Sequence, residues 1–246
     1  MVALVQPQQV LGCNQHARIG RRRVCLAIVR LHSLTLVHSL VRKLAHDSDV
    51  IVENFRPGTM ERWGLGPDDL KQTRPDLIYA RVSGYGQDGP YSSRAGYAAV
   101  WEAFGGLRHV NGFPGQPPVR ANISLGDTLA GIHSALGITM SLLARARGVP
   151  GASGVQVVDT AIYESVFNVM EAVVSEYDRK GVVRERSGST ITGIAPTNTY
   201  MCRDGKYIVI GANGASNFKR LMVAIEHPEY VRSRLSEVGF NRDIFE

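Results

Sequence analysis

Two short apolar runs, "DVIVEN" (49–54) and "LIYARVSGYG" (77–86), do most to limit what this chain can become. Each is rich in β-branched or aromatic residues and closes on a turn signal, so each reads as a strand buried on both faces. Ahead of the first lies "LVHSLVRKLAHDSD" (36–49), apolar at helical spacing; between the two, "PDDLKQTRPDL" (67–77) reads as a short helix. Helix, strand, helix, strand at this spacing implies a parallel sheet with crossover helices, hence an α/β fold.

The rest of the chain extends that pattern and then leaves it. A glycine- and proline-rich connection (84–97) precedes a helix at "AAVWEAFGGL", and a loop, "NGFPGQPPVRAN", precedes a long helix from Asp127 to about Arg147. "GVQVVDT" reads as a strand and "AIYESVFNVMEAVVSEYDRKG" (161–181) as one long amphipathic helix. "NTYMCRDGKYIVIGAN" reads as a hairpin around "RDGK", followed by a helix at "SNFKRLMVAIE". The expected organisation is an unmatched basic segment at 1–35, a large α/β domain at 36–182 and the start of a smaller α+β domain at 183–246. A parallel sheet of two or three strands is too narrow to be whole. The chain is therefore expected to be a piece of a longer protein.

Charge excludes more than it suggests. The net formal charge is +6, but the first 46 residues hold seven Lys or Arg and no acid, leaving 21 basic and 22 acidic residues elsewhere. The body of the chain makes no case for nucleic acid. No uninterrupted apolar run reaches the roughly 18 residues of a membrane span, so a soluble globular protein is expected. The Arg-rich N-terminus leaves open a mitochondrial targeting role beside a cytoplasmic location. Cys13, Cys25 and Cys202 have no metal-ligand spacing, and no metal is expected.

Among residues that could carry chemistry, Asp127 stands first, as the one acid in "SLGDTLAGIHSALGITM" (124–140). It can act as a helix N-cap. It can also be a nucleophile: a helix N-terminus favours the carboxylate anion, and Gly126, Ala130, Gly131, Ala135 and Gly137 leave room for an extended ligand. In "ENFRPGTMERWGLG", Arg56 and Arg62 flank a Pro-Gly turn directly after a strand, where α/β sheets bind ligands, and two arginines can hold a phosphate. The alternative is ordinary surface charge. Gly188 and Gly193 bracket a hydroxyl-rich loop that can present N–H groups to an oxyanion. Tyr97 can meet a ligand or pack in the core, and His133 fits packing better than catalysis. No HExxH, GxSxG, P-loop or post-strand GxGxxG occurs, which removes several enzyme classes.

In order, "DVIVENFRPGTMERWGLG", "RPDLIYARVSGYGQDGPY", "LGDTLAGIHSALGI" and "GVQVVDTAIYESVFN" resemble the family III CoA-transferases, which include formyl-CoA transferase and the carnitine CoA-transferases. The resemblance runs from Leu36 to the C-terminus. It implies a Rossmann-like large domain with a smaller domain, an interlocked homodimer, and CoA transfer between carboxylic acids. Asp127 would attack the donor thioester, giving a mixed anhydride and then an aspartyl-CoA thioester. By the same resemblance Asn54, Phe55 and Arg62, beside Arg56, contact coenzyme A; Tyr97 is an active-site tyrosine; and Gly193, Ile194 and Ala195 form a glycine loop over the intermediates. Relatives that racemise 2-methylacyl-CoA need a histidine base, which "RAGYAAV" lacks. A racemase and a silent fragment that only binds a partner subunit remain alternatives. The resemblance names neither acid, although Arg94 and Arg120 can pair with the second carboxylate of a dicarboxylic substrate.

Overall fold

The computed structural model describes residues 34–232 and three short strands before them. The elements run β1 (Val2–Val5), β2 (Ala17–Ile19), β3 (Arg22–Val24), α1 (Leu34–His46), β4 (Val50–Glu53), α2 (Thr59–Arg62), α3 (Pro67–Lys71), β5 (Ile78–Ser83), α4 (Ala98–Phe104), α5 (Leu107–Val110), α6 (Leu125–Ala146), β6 (Gln156–Ala161), α7 (Ile162–Asn168), α8 (Val173–Lys180), β7 (Thr197–Met201), β8 (Tyr207–Gly211), α9 (Ala215–Ala224) and α10 (Glu229–Arg232). Cys13 and Cys25 lie outside the described residues. The chain divides into two compact units, residues 1–107 with 121–171 and residues 108–120 with 172–246.

The first unit is built on a parallel sheet of order β1-β4-β5-β6. Within β4 and β5, Val50, Ile51, Ile78, Tyr79 and Ala80 are all buried, the continuous pattern of strands covered on both faces. Ile51 and Tyr79 join Val41 and Ala45 of α1, Met60 of α2, Leu65, Leu70 of α3 and Leu77 in one apolar cluster. Full burial of each such Leu or Met stabilises by about 1.5–3 kcal/mol relative to exposure. The Tyr79 hydroxyl donates to the Leu65 carbonyl (2.8 Å), which satisfies the one polar atom that residue brings into the cluster. The strand β1 comes from the segment that sequence motifs leave unmatched: Val2–Val5 pair in register with Val50–Glu53. A four-residue run without flanking periodicity gives no signal of its own.

The long helix α6 packs on β5 and β6 and against α4 and α7. At its C-terminal end Arg145 pairs with Asp49 (2.9 Å) and Asp76 (3.2 Å), the residues leading into β4 and β5. It therefore runs antiparallel to the sheet, and its N-terminus arrives at the strands' carboxyl ends. By length and composition α6 could cross a bilayer, although Asp127, His133 and Arg145 interrupt its apolar run. Its ion pairs and its packing on the strands make it a sheet-covering helix.

One expectation is corrected. Residues 161–181 do not form a single helix but α7 and α8, separated by Glu171 in the left-handed region (φ 54°). Tightened turns, Val169 N–H to Val166 O and Met170 N–H to Phe167 O, close α7 first. Val166 and Met170 are buried where Gly105 and Gly106 leave space: a Cβ on Gly105 would lie 2.8 Å from Val166 Cβ. The two compact units divide at residues 171 and 172, immediately after this break.

In the second unit β7 and β8 form the expected antiparallel hairpin, its turn closed by Cys202 N–H to Lys206 O (2.7 Å) with Gly205 at φ 77°. Gly193, Ile194 and Ala195 lie ahead of it, in a turn where Ile194 N–H donates to Ile191 O (3.1 Å). Arg120 belongs to this unit as well.

Candidate active site

A cavity of about 700 Å³ opens in the first unit. Its wall draws on Val52 and the turn Asn54–Pro57 after β4, Val82, Ser83 and Gly84 at the end of β5, the loop residues Ser92, Arg94, Ala95 and Gly96, and Ile162 after β6. β4 and β5 contribute their carboxyl ends and β6 the residue that follows it, the crevice in which open α/β sheets bind ligands. The fourth side is α6, which presents Asp127, Gly131, Ser134, Ala135 and Ile138.

The strand-end wall rests on buried ionic groups. Glu53, 1% exposed, accepts from Arg81 Nε (2.7 Å) through one oxygen and from the Phe55 N–H (2.7 Å) through the other. Arg81 then turns its fork to Glu61, with bonds of 2.6 and 3.1 Å. Burial pushes the Glu53 carboxyl up from the ordinary value, against the hydrogen bond from Arg81. Burial acts the same way on Glu61, but there the hydrogen bonds and charge of Arg81 win and hold it below the usual range. The network fixes the turn that follows β4. Phe55 stacks edge-on to Trp63 (centroids 5.0 Å), and Arg56 Nη2 donates to the Ser93 carbonyl (3.1 Å), tying that turn to the 84–97 loop.

Packing rather than regular structure shapes the loop. Tyr85, Tyr91, Phe104 and Tyr163 form a chain of tilted and edge-on rings with centroids 5.2–5.8 Å apart. Gly84 passes so close to Trp101 that an added Cβ would fall 2.0 Å from the indole ring. Asp159 of β6 accepts the Gln87 N–H (2.8 Å), and partial desolvation of its carboxyl raises its pKa despite that bond. Arg94 lies with its guanidinium 4.3 Å from the Tyr91 ring centroid, held over the aromatic face at the cavity wall.

Asp127 is the third residue of α6 rather than its N-cap; that place belongs to Ser124, whose side chain makes no capping bond. Its side chain is exposed and lines the cavity. A carboxylate in the first turn of a helix interacts favourably with the macrodipole, by about 0.3–1 kcal/mol. The small residues of α6 divide by role. Gly131 and Ala135 border the cavity, Ala130 is buried, and Gly137 meets the side chain of Val158, where a Cβ would come within 2.7 Å. His133 Nδ1 lies 2.8 Å from the Leu129 carbonyl and Nε2 3.2 Å from Asn168 Oδ1; it does not line the cavity.

The cavity thus brings together Asn54, Phe55, Arg56 and Asp127, and adds Arg94. Arg62 does not line it: exposed, its Nη2 donates to Thr59 Oγ1 (2.8 Å). Nor does Tyr97, 85% exposed at the N-cap of α4. Gly193, Ile194 and Ala195 belong to the other unit. Sequence reasoning passes over Trp101, Ser134 and the buried Glu102; the last is an acid inside the otherwise apolar "AAVWEAFGGL", which is a usable signal.

Comparison with known proteins meets this geometry at family level. Residues 34–241 match the model of CoA-transferase family III. The chain belongs to that family. It is 47% identical over 191 residues to the succinyl-CoA–D-citramalate CoA-transferase of Chloroflexus aurantiacus, covering 78% of this chain and 46% of that enzyme. It is 31% identical over 192 residues to the succinyl-CoA:glutarate CoA-transferase of Homo sapiens, covering 78% and 43%. A crystal structure of a CAIB/BAIF family protein from Brucella suis superposes with TM-score 0.70 at 26% identity, over 89% of this chain and 59% of that one. The chain spans less than half the length of these two enzymes.

Proposed function

We propose that this chain carries the catalytic aspartate of a CoA-transferase, which moves CoA from an acyl-CoA to a carboxylic acid. The observation that carries the proposal is Asp127: an exposed carboxylate in the first turn of α6, in the wall of a cavity flanked by Arg56 and Arg94. Its oxygen attacks the thioester carbonyl carbon and expels the CoA thiolate, leaving a mixed anhydride. The thiolate then attacks the aspartyl carbonyl and releases the donor acid, giving an aspartyl-CoA thioester. The acceptor carboxylate attacks the aspartyl carbonyl and expels the CoA thiolate, giving a second mixed anhydride; the thiolate then attacks the acceptor's acyl carbon, forming the new acyl-CoA and releasing Asp127 as its carboxylate.

Coenzyme A itself is the carrier in this scheme. Asn54, Phe55 and Arg56 are assigned to hold it within the cavity, Arg62 and Tyr97 to meet the parts that project beyond it. Arg94, the second cation of the wall, is assigned to the distal carboxylate of a dicarboxylic acid; succinyl-CoA, citramalate and glutarate in the relatives' names support that class. Among the described residues no histidine lines the cavity, which disfavours a two-base racemase. A homodimer is part of the same proposal, supported by the exposed stripe Ile132, Leu136, Met140 and Leu143 on α6. Light scattering that returns the mass of a single chain would remove it.

The test is direct. Incubation with succinyl-CoA and a short dicarboxylate should yield the exchanged thioester. Mass spectrometry should find CoA on the peptide bearing Asp127, and Asp127→Ala should lose both. Normal turnover by that variant sinks the assignment, and a parent chain that binds no CoA leaves the silent-fragment alternative.

A further inference from the structure

The helix that carries Asp127 lacks the usual device for starting a helix. Ser124 stands at its N-cap with φ −84° and ψ 69° and makes no side-chain capping bond, yet the first N–H groups of any helix need acceptors. Glu102 of α4 supplies one. Its Oε1 accepts the N–H of Gly126 (3.2 Å), and the side chain is 2% exposed. Gly126 is buried and close-fitted: an added Cβ would lie 3.2 Å from both Glu102 Cγ and Ile162 Cγ2.

These contacts fall one residue from the chemistry on both sides. Asp127 follows Gly126 directly, and Trp101, which precedes Glu102, lines the same cavity as Asp127. We infer that Glu102 is a positioning residue for Asp127: by accepting the Gly126 N–H it fixes the first turn of α6, and with it where the carboxylate stands relative to a bound thioester. The inference rests on Asp127 being the nucleophile. Glu102 is not among the residues that line the cavity, so it acts on the carboxylate through the Gly126 main chain rather than by touching a bound ligand. A displacement of about 1 Å in an attacking group is enough to lower a rate about 100-fold.

Glutamine keeps an oxygen at the same place, whereas alanine leaves the Gly126 N–H buried without that acceptor. Glu102→Ala should lower kcat about 100-fold while the KM for acyl-CoA changes less than about threefold, and it should form correspondingly less Asp127 adduct. Glu102→Gln should recover most of kcat. A purely structural role would instead reduce the fraction of active protein without this split, and would not be rescued in the rate of adduct formation. Amide exchange at Gly126, followed by NMR, reads the cap independently of catalysis: slow in the parent and in Glu102→Gln, fast in Glu102→Ala.

Where Glu102→Ala does not fold, Gly126→Ala presses on the same contact, and a kcat lowered at least about tenfold supports the inference. Unchanged kcat and adduct yield in a folded Glu102→Ala or Gly126→Ala overturn it, as does equally fast Gly126 exchange in all variants. A parent chain whose Gly126 is protected but whose Asp127 never takes up CoA overturns the nucleophile assignment instead, and the positioning role falls with it.

Discussion

The strand-end wall of the cavity and its helical wall each depend on a carboxylate, and the two are treated in opposite ways. Glu53 is sealed, with both oxygens occupied by Arg81 and the Phe55 N–H, whereas Asp127 is exposed on the cavity side of α6. A buried charge must be fully bonded or it destabilises the fold; a reacting charge must be reachable by its substrate. The difference teaches that acids so similar in chemistry are separated by their surroundings: one maintains a wall, and the other is offered to the cavity.

The comparison breaks first at Asp127. Asp127→Asn should reduce kcat by about 10⁴–10⁶-fold, as loss of a residue of the reacting group does, while lowering stability by no more than about 1 kcal/mol, the size of a first-turn carboxylate's interaction with the helix macrodipole. Exchange assays and thermal melts on one preparation check both halves. Arg81→Met inverts that pattern. It strands Glu53 without its cation, and removal of one partner from a buried pair is expected to lower the unfolding free energy by about 3–5 kcal/mol in a denaturant titration.

Gly84→Ala tests the junction of loop and α4. With the indole 2.0 Å from the new Cβ, Trp101 must move, and overpacking of this kind costs about 1–3 kcal/mol. A raised KM for acyl-CoA should accompany it, because Trp101 lines the cavity.

The smallest effect sharpens the contrast between Glu53 and Glu61. Glu61 is 44% exposed on its side chain, so Glu61→Gln should lower stability by at most about 1 kcal/mol. Because its folded pKa is depressed, that contribution is present above the ordinary glutamate range and fades as pH falls through the folded value. The melting difference between parent and variant should therefore be largest near neutrality and close in acid. Glu53 has the opposite sign: its raised folded pKa contributes stability below the ordinary range that is lost as pH rises through the folded value.

How far the sequence discloses all this depends on where each signal is stored. β4 and β5 are legible because burial on both faces writes itself as short apolar runs, β6 because its β-branched residues still read as a strand although Val157 is exposed, and α6 because small and apolar residues repeat at helical spacing. Asp127 stands out as a lone acid in such company. The break at Glu171 is invisible, since apolar residues continue across it from Val166 to Val173 while the packing partners change. Arg62 and Tyr97 can be named from motifs, but only coordinates reveal that neither borders the first unit's cavity. Glu102 is recorded in the sequence as an anomaly whose meaning lies 24 residues away, in an amide it accepts.

That amide is not alone. Phe55, Gln87 and Gly126 each donate a main-chain N–H to a carboxylate, respectively Glu53, Asp159 and Glu102. These anchors use a main-chain N–H that every residue except proline carries, so side chains facing inward can be exchanged without re-laying the frame. Such an arrangement would let one scaffold be retuned from one ligand to another by a handful of inward substitutions, and it marks Arg94, Ala95 and Ile138 of the cavity wall as the places where a designer would begin.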